Sequence, residues 1–164
     1  MSSILVMIPT YNESENVRII YGRVRTALPK AEILFVDDNS PDGTAAIVEN
    51  LSINWVKLLK RSEKGGLGAA YRAGFAQVLK DENYTHVVTM DADGSHRVED
   101  LPAMFAAIKP GKSITLGTRW IPGGSVINWP RSRQILSKTG TKYAKFALKI
   151  DLNDLTGGYR IYSV

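Results

Sequence analysis

Short apolar runs alternate with stretches of helical period along almost the whole chain, and each helical stretch separates two runs that would otherwise be free to form a hairpin. Residues 4–8, 32–37, 55–59, 86–90 and 113–117 read as five strands, the first ended by Pro9. Between the first two, Val17, Ile20, Tyr21, Val24 and Leu28 recur at helical spacing, with Asn12 and Glu15 in the positions of an N-cap and its capping-box partner. Residues 44–51, following a Ser40-Pro41-Asp42-Gly43 turn, together with 67–80 and 98–108, read as further helices. Strands joined through helices pair in parallel and need both sheet faces covered, so the expected class is α/β, with a mainly parallel sheet and helices on both faces. The 164 residues, 44% of them hydrophobic, are enough for one well-cored domain, and neither a repeat nor a linker divides residues 1–164.

In sheets of this kind ligands bind beyond the carboxyl ends of the strands. The polar clusters fall there: residues 10–13, 37–40 and 91–95, then Arg119. Asp91-Ala92-Asp93 is the most specific in its chemistry. On an extended backbone residues i and i+2 share a face, so two hard carboxylates can serve one divalent cation, or a diphosphate held through it. Asp37-Asp38 puts adjacent acids at a strand end, where burial requires compensating donors; the other reading is one acid capping the next helix and one in solvent. In Pro9-Thr10-Tyr11-Asn12-Glu13, Tyr11 can stack on a flat base and Glu13 can accept hydrogen bonds, or the segment is a plain strand–helix turn.

Lys64-Gly65-Gly66-Leu67-Gly68 precedes a helix but has neither Walker nor Rossmann spacing, so it reads either as a phosphate cradle or as a tight turn with close helix packing. Arg119 and Arg133 are the cationic candidates for gripping phosphate oxygens. Residues 121–128, with Pro122, Gly123 and Gly124, read as a loop able to close over a substrate. Residues 132–150 form a basic amphipathic helix. Its Lys138, Lys142, Lys145 and Lys149 stripe beside Ile135, Tyr143, Phe146 and Ile150 suits either an anionic membrane surface or packing on the core with a solvated lysine face. His86 and His96 have no ligand-spaced partner; His86 reads as structural and His96 as a pocket-lining residue.

Composition removes several classes. With no cysteine, disulfides, thiolate metal sites and a cysteine nucleophile are excluded. No apolar stretch approaches the roughly 20 residues of a membrane span, and the N-terminus lacks the basic region of a signal peptide, so a soluble cytoplasmic domain is expected. The net charge of +5 conceals an asymmetry: residues 1–100 carry 11 Lys/Arg against 14 Asp/Glu, whereas residues 101–164 carry 10 against 2. That basic block suggests an anionic partner. With no nucleic-acid-binding motif, nucleic acid is not expected.

Taken in order, Pro9-Thr10-Tyr11-Asn12-Glu13, Val36-Asp37-Asp38-Asn39-Ser40-Pro41-Asp42-Gly43-Thr44, Met90-Asp91-Ala92-Asp93, Gly117-Thr118-Arg119-Trp120 and Asn128-Trp129-Pro130 resemble glycosyltransferase family 2, in particular its dolichyl- and polyprenyl-phosphate mannosyltransferases. The resemblance covers nearly the whole chain. It implies a GT-A fold, a nucleotide-sugar donor such as GDP-mannose, Mg²⁺ or Mn²⁺, and a polyprenyl or dolichyl phosphate acceptor, with peripheral attachment to the cytoplasmic face of a membrane. By that resemblance Pro9, Tyr11, Glu13, Val36 and Asp38 would hold the nucleoside. Asp91 and Asp93 would bind metal and diphosphate, Ala92 would lie at the donor, and Ser95 would stand at a further metal position. Arg119 and Arg133 would bind phosphate, and Asp154, in Asp154-Leu155-Thr156-Gly157-Gly158-Tyr159-Arg160, would be a third acid near the acceptor.

The implied reaction is an inverting displacement. A phosphate monoester is already substantially charged near neutral pH, its second pKa being about 6, so no strong base is required. Asp93, Arg119 and Asp154 would then act through orientation and charge stabilisation. The family continues beyond the point where this chain stops, so a donor-binding core lacking most of the acceptor portion is expected. The alternatives are another donor such as UDP-glucose, a non-lipid acceptor, or a nucleotide-sugar-binding core with little turnover.

Overall fold

The computed structural model describes residues 3–51, 53–122, 124, 126, 130–150 and 152–164. Its strands are β1 (Ser3–Thr10), β2 (Glu32–Asp37), β3 (Val56–Lys60), β4 (Tyr84–Thr89), β5 (Ile114–Leu116) and β6 (Arg160–Ser163). Its helices are α1 (Val17–Ala27), α2 (Thr44–Glu49), α3 (Leu67–Val78), α4 (Leu101–Ala106), entered through a 3-10 turn at Val98–Asp100, and α5 (Arg131–Leu148). The strands form one sheet in the order β3-β2-β1-β4-β6-β5.

The first four strands pair in parallel, as the alternation requires. The sixth is additional to the five expected. It runs antiparallel to β4, with Thr89 opposite Arg160, and antiparallel to β5, with Leu116 opposite Arg160. Two reversals leave β5 pointing the same way as β1–β4. The C-terminal ends of β1–β5 and the N-terminal end of β6 therefore meet at one edge, and the 154–160 segment is delivered to it.

Both faces are covered because successive strand residues point to opposite sides. Val6 and Ile8 of β1 pack with α1, α2 and α4, whereas Leu5 and Met7 pack with α3. Gly74 brings α3 down onto the sheet: a Cβ there would stand 2.6 Å from Met7 Sδ.

Two local expectations change. Pro9 does not end β1, which continues to Thr10. The Asp38 amide donates to the Thr10 carbonyl and the Met90 amide to the Met7 carbonyl, so even-numbered residues here face β2 and odd-numbered ones face β4. Pro9 thus lacks its N–H on the side where the β1–β4 register has stopped at Met7. Nor do Asn12 and Glu15 form a capping box. The N-cap is Asn16, without a side-chain cap bond, and Asn12 takes the left-handed conformation (φ 59°).

Candidate active site

Two loops at the strand edge are tied together by side chains. Asp37, fully buried, accepts from Thr10 Oγ1 at 3.1 Å, from the Ser40 amide at 2.9 Å and from Ser40 Oγ at 2.5 Å. Asp42 accepts from the Ser14 amide at 3.0 Å and from Thr44 Oγ1 at 2.6 Å, and Thr44 Oγ1 in turn accepts from the Glu13 amide. Although desolvation opposes its charge, the donors on Thr44 and Ser14 hold the Asp42 carboxyl at about 2. Tyr11 and Glu13 are thereby held at the rim. The Tyr11 ring is 36% exposed, and Lys64 Nζ lies 3.6 Å from its centroid. Glu13 Oε2 accepts from Asn16 Nδ2 at 2.6 Å.

Asp38 is buried as well, so neither acid of the pair is in solvent. Its carboxylate takes the Gly65 amide at 3.0 Å, the Gly66 amide at 2.6 Å and the Arg61 guanidinium. Burial pushes this carboxyl up, but the two amides and Arg61 outweigh it and hold the pKa below the ordinary value. The glycine-rich loop consequently has an internal anion, which favours the tight-turn reading. Gly66 supplies the positive φ of 81° that opens α3.

Asp91 and Asp93 lie beyond the end of β4, which stops at Thr89. The strand alternation invoked from sequence therefore does not set their directions; a bend with Gly94 at φ 78° does. Ala92 turns inward and is buried, Asp93 is exposed, and its Oδ1 accepts from the exposed Ser95 amide at 2.9 Å. Asp91 is partly exposed. Its amide donates to His96 Nδ1 at 2.9 Å, and its Oδ2 lies 3.6 Å from His96 Nε2. Because Nδ1 accepts, the proton of a neutral ring sits on Nε2, facing the carboxylate.

His96 stacks on Tyr159, with centroids 4.9 Å apart and planes inclined by 8°. Burial pushes the Asp91 carboxyl above its ordinary value and Asp93 adds to the push, while His96 opposes it. Burial lowers His96 against the pull of Asp91. These donors fit a hard divalent cation bound by two carboxylates that takes its remaining oxygens from a ligand and water. They do not form an all-protein cage: among the described residues no three His, Asp or Glu side chains gather to hold an ion.

Arg119 and Asp154, 35 residues apart, meet across the β5–β6 end of the site. Arg119 Nε donates to Asp154 Oδ2 at 2.6 Å and Nη2 to Oδ1 at 2.8 Å, while Nη2 also reaches Thr156 Oγ1 at 2.8 Å. Asp154 is 1% exposed. Burial would raise its pKa, yet Arg119 and Thr156 bring it below the ordinary value.

Beside this pair, α5 presents an unexpected face. The side chains it buries are Ser137 and Thr141, bonded to Thr156 Oγ1 at 2.8 Å and to the Leu155 amide at 3.4 Å. Tyr143 and Phe146 are 73% and 85% exposed, so its aromatic residues do not pack on the core. Trp120, Lys138, Thr141, Lys142, Lys145 and Phe146 line a cleft of about 600 Å³ along the helix. Lys138 Nζ lies 4.6 Å from the Trp120 ring centroid.

The structure therefore brings Tyr11, Glu13, Asp38, Asp91, Asp93, Ser95, Arg119 and Asp154 to one sheet edge. It departs from the expected roles in three places. The Val36 side chain is wholly buried under α3, packed by Gly74, and cannot face a nucleoside. The Ala92 methyl packs in the core, so only the backbone of this residue is available to a donor. The Arg119 fork lies on Asp154, and Asp154 is sealed from an acceptor. Arg133 stands exposed on the first turn of α5. Asn128 and Trp129 of the fifth motif, with Gly123, Ser125 and Ile127 of the expected closing loop, lie outside the described residues. Sequence reasoning missed Arg61 and Tyr71 at this edge; the nearest signal was the buried acid pair, which demanded a cation.

The mainly parallel sheet, with an Asp-x-Asp bend and a buried acid pair at the C-terminal ends of its strands, is the architecture of a GT-A-like fold. The chain belongs to glycosyl transferase family 2, whose model matches residues 5–164. It is 48% identical over 161 residues to the polyprenol monophosphomannose synthase of Mycolicibacterium smegmatis, covering 96% of this chain and 60% of that protein. It is 43% identical over 161 residues to the undecaprenyl-phosphate mannosyltransferase of Micrococcus luteus, covering 97% and 65%. The chain thus spans less than two thirds of the length of these relatives.

Two solved structures share the fold. Glucosyl-3-phosphoglycerate synthase from Mycobacterium tuberculosis, solved with Mn²⁺, uridine-diphosphate and phosphoglyceric acid, matches 99% of this chain and 56% of its own, with TM-score 0.72 and 15% identity. A mannosyltransferase from Pyrobaculum calidifontis, solved with GDP-Man and Mn²⁺, matches 68% of this chain and 34% of its own, with TM-score 0.57 and 22% identity.

Proposed function

We propose that this chain is the donor-binding core of a divalent-metal-dependent, inverting mannosyltransferase that moves mannose from GDP-mannose onto a polyprenyl phosphate. The observation that carries this reading is the 48% identity, across 96% of the chain, to a polyprenol monophosphomannose synthase. Tyr11 and Glu13 offer a ring and a carboxylate to the nucleoside, and Asp38 acts through the loop it anchors. Asp91 and Asp93 would hold Mg²⁺ or Mn²⁺ at the diphosphate, with Ser95 beside them. The bound cation supplies charge stabilisation to the departing diphosphate.

On the acceptor side, a lipid phosphate needs cations close to apolar surface. The cleft lined by Lys138, Lys142 and Lys145 with Trp120 and Phe146 supports that requirement. Arg119, just past β5, and Arg133, on the first turn of α5, would add cations for phosphate on this side, and Asp154 sets the Arg119 fork. Among the described residues no helix is long and apolar enough to cross a membrane. The exposed aromatic and lysine side chains of α5 support peripheral attachment to an anionic surface instead.

The test is transfer of radiolabelled mannose from GDP-mannose to polyprenyl phosphate with Mn²⁺, using both this chain and a version extended to the relatives' length. The expected outcome is a lipid-linked product from the extended version that is lost in Asp91→Ala. Absence of lipid-linked mannose from the extended version would refute the assignment, and transfer from UDP-glucose in its place would move the donor.

A further inference from the structure

Tyr71 belongs to none of the motifs at the strand edge, yet its hydroxyl reaches them. It projects from α3, and its oxygen is buried beside the Thr89 hydroxyl, which is itself committed to the Gly158 carbonyl, and makes no hydrogen bond of good geometry among the described residues. A buried hydroxyl left unpaired is destabilising, and such a group requires an account. Its surroundings supply one. The point that a Cβ on Gly158 would occupy is 3.5 Å from the Tyr71 hydroxyl, 3.7 Å from His96 Cε1 and 3.8 Å from Asp91 Oδ1. One side chain from α3 and two from the 91–96 bend thus converge where Gly158 leaves a gap. The Gly158 carbonyl is fixed there by Thr89 Oγ1, which donates to it at 2.7 Å.

The two oxygens of Asp91 have different neighbours. Oδ2 faces His96 Nε2 at 3.6 Å, whereas Oδ1 faces the gap that the Tyr71 hydroxyl borders. A tyrosine hydroxyl, with an ordinary pKa of about 10, keeps its proton near neutral pH and is available as a donor. Carboxylates that ligate metals are themselves commonly held by hydrogen bonds, and loss of such a partner typically weakens metal binding by about 10–100-fold.

We propose that Tyr71 is a positioning residue of the metal–diphosphate site, placed to donate to Asp91 Oδ1 once a divalent cation is bound and so to set the rotation of that carboxylate, across a gap that Gly158 keeps open. The inference rests on the reading of Asp91 as a cation ligand. It adds that α3, through one hydroxyl, sets how tightly the cation is held.

The experiment is a titration of Mn²⁺ followed by electron paramagnetic resonance of the free ion, with the 164-residue chain and GDP, alongside thermal melts. Tyr71→Phe is expected to weaken Mn²⁺ about tenfold, leaving metal-free GDP affinity unchanged and the melting temperature equal or higher, since an unpaired buried hydroxyl is removed. Gly158→Ala places a methyl in ordinary contact with all three groups and fills the gap. It is expected to weaken Mn²⁺ in the same direction, and it stands as the second test should Tyr71→Phe fold poorly. Wild-type Mn²⁺ affinity in Tyr71→Phe, with Mn²⁺ lost in Asp91→Asn, would overturn this inference alone. A wild-type chain that takes up no Mn²⁺ with GDP would overturn it together with the functional reading.

Discussion

Replacing Arg119 by Met removes two charge-assisted hydrogen bonds, of 2.6 and 2.8 Å, from a carboxylate that is 1% exposed. Asp154 then keeps the Arg119 amide at 3.3 Å and the Thr156 amide at 3.2 Å, both neutral donors, with Thr156 Oγ1 at 3.1 Å. Breaking a buried pair from one side costs about 3–5 kcal/mol because the remaining charge is left uncompensated. Against a domain stability of about 5–15 kcal/mol that is a large share, and for a chain of this size it corresponds to a melting temperature lower by about 6–20 °C.

The pH dependence fixes the cause. In the native chain the Asp154 pKa is lowered, so its contribution is present above the unfolded value of about 3.9 and is lost as pH falls through the folded one. In Arg119→Met burial dominates and the folded pKa rises above the unfolded one, so the buried charge destabilises at neutral pH and is relieved on acidification. Urea melts from pH 7 toward pH 4 should therefore show the gap between native chain and variant narrowing. Adding Asp154→Leu to Arg119→Met should recover part of the loss at pH 7. A loss under about 1 kcal/mol with a gap independent of pH would contradict a buried, mutually dependent pair.

Asp38→Ala removes the acceptor of the Gly65 and Gly66 amides and the partner of Arg61; a loss of about 3 kcal/mol in urea melts is expected, with faster amide exchange at Gly65 and Gly66. Unchanged exchange there would mean that another group holds the loop. Lys142→Glu with Phe146→Ser acts on two exposed side chains of α5, so stability should change by no more than about 0.5 kcal/mol while sedimentation with anionic liposomes falls several-fold. Equal sedimentation would remove α5 from the membrane contact.

The parallel frame was legible because β1–β4 are apolar runs separated by helices, and parallel pairing then follows from the connections alone. The positions of the acids at the strand ends were legible for the same reason. β6 was not: Arg160-Ile161-Tyr162-Ser163 is a four-residue run too short to carry a clear period, and its antiparallel insertion beside β4 is a tertiary choice. The partner of Asp154 was equally hidden, since 35 residues, α5 among them, separate it from Arg119. On α5 the apolar periodicity was legible, but whether it faced the core or a surface was not. Core contact there is made by Ser137 and Thr141 hydroxyls, which bond to the 154–156 segment and leave Phe146 outside. Tyr71 gave no signal because an aromatic residue within an Ala-rich helix reads as core.

The central claim is a diphosphate site organised by a cation on Asp91 and Asp93, and calorimetric titration of GDP with and without Mn²⁺ tests it most directly. The account predicts GDP binding that strengthens at least tenfold with Mn²⁺, a gain abolished by Asp91→Ala or by chelation with EDTA, and weaker binding of UDP. GDP affinity that is indifferent to Mn²⁺ and to Asp91→Ala would contradict it.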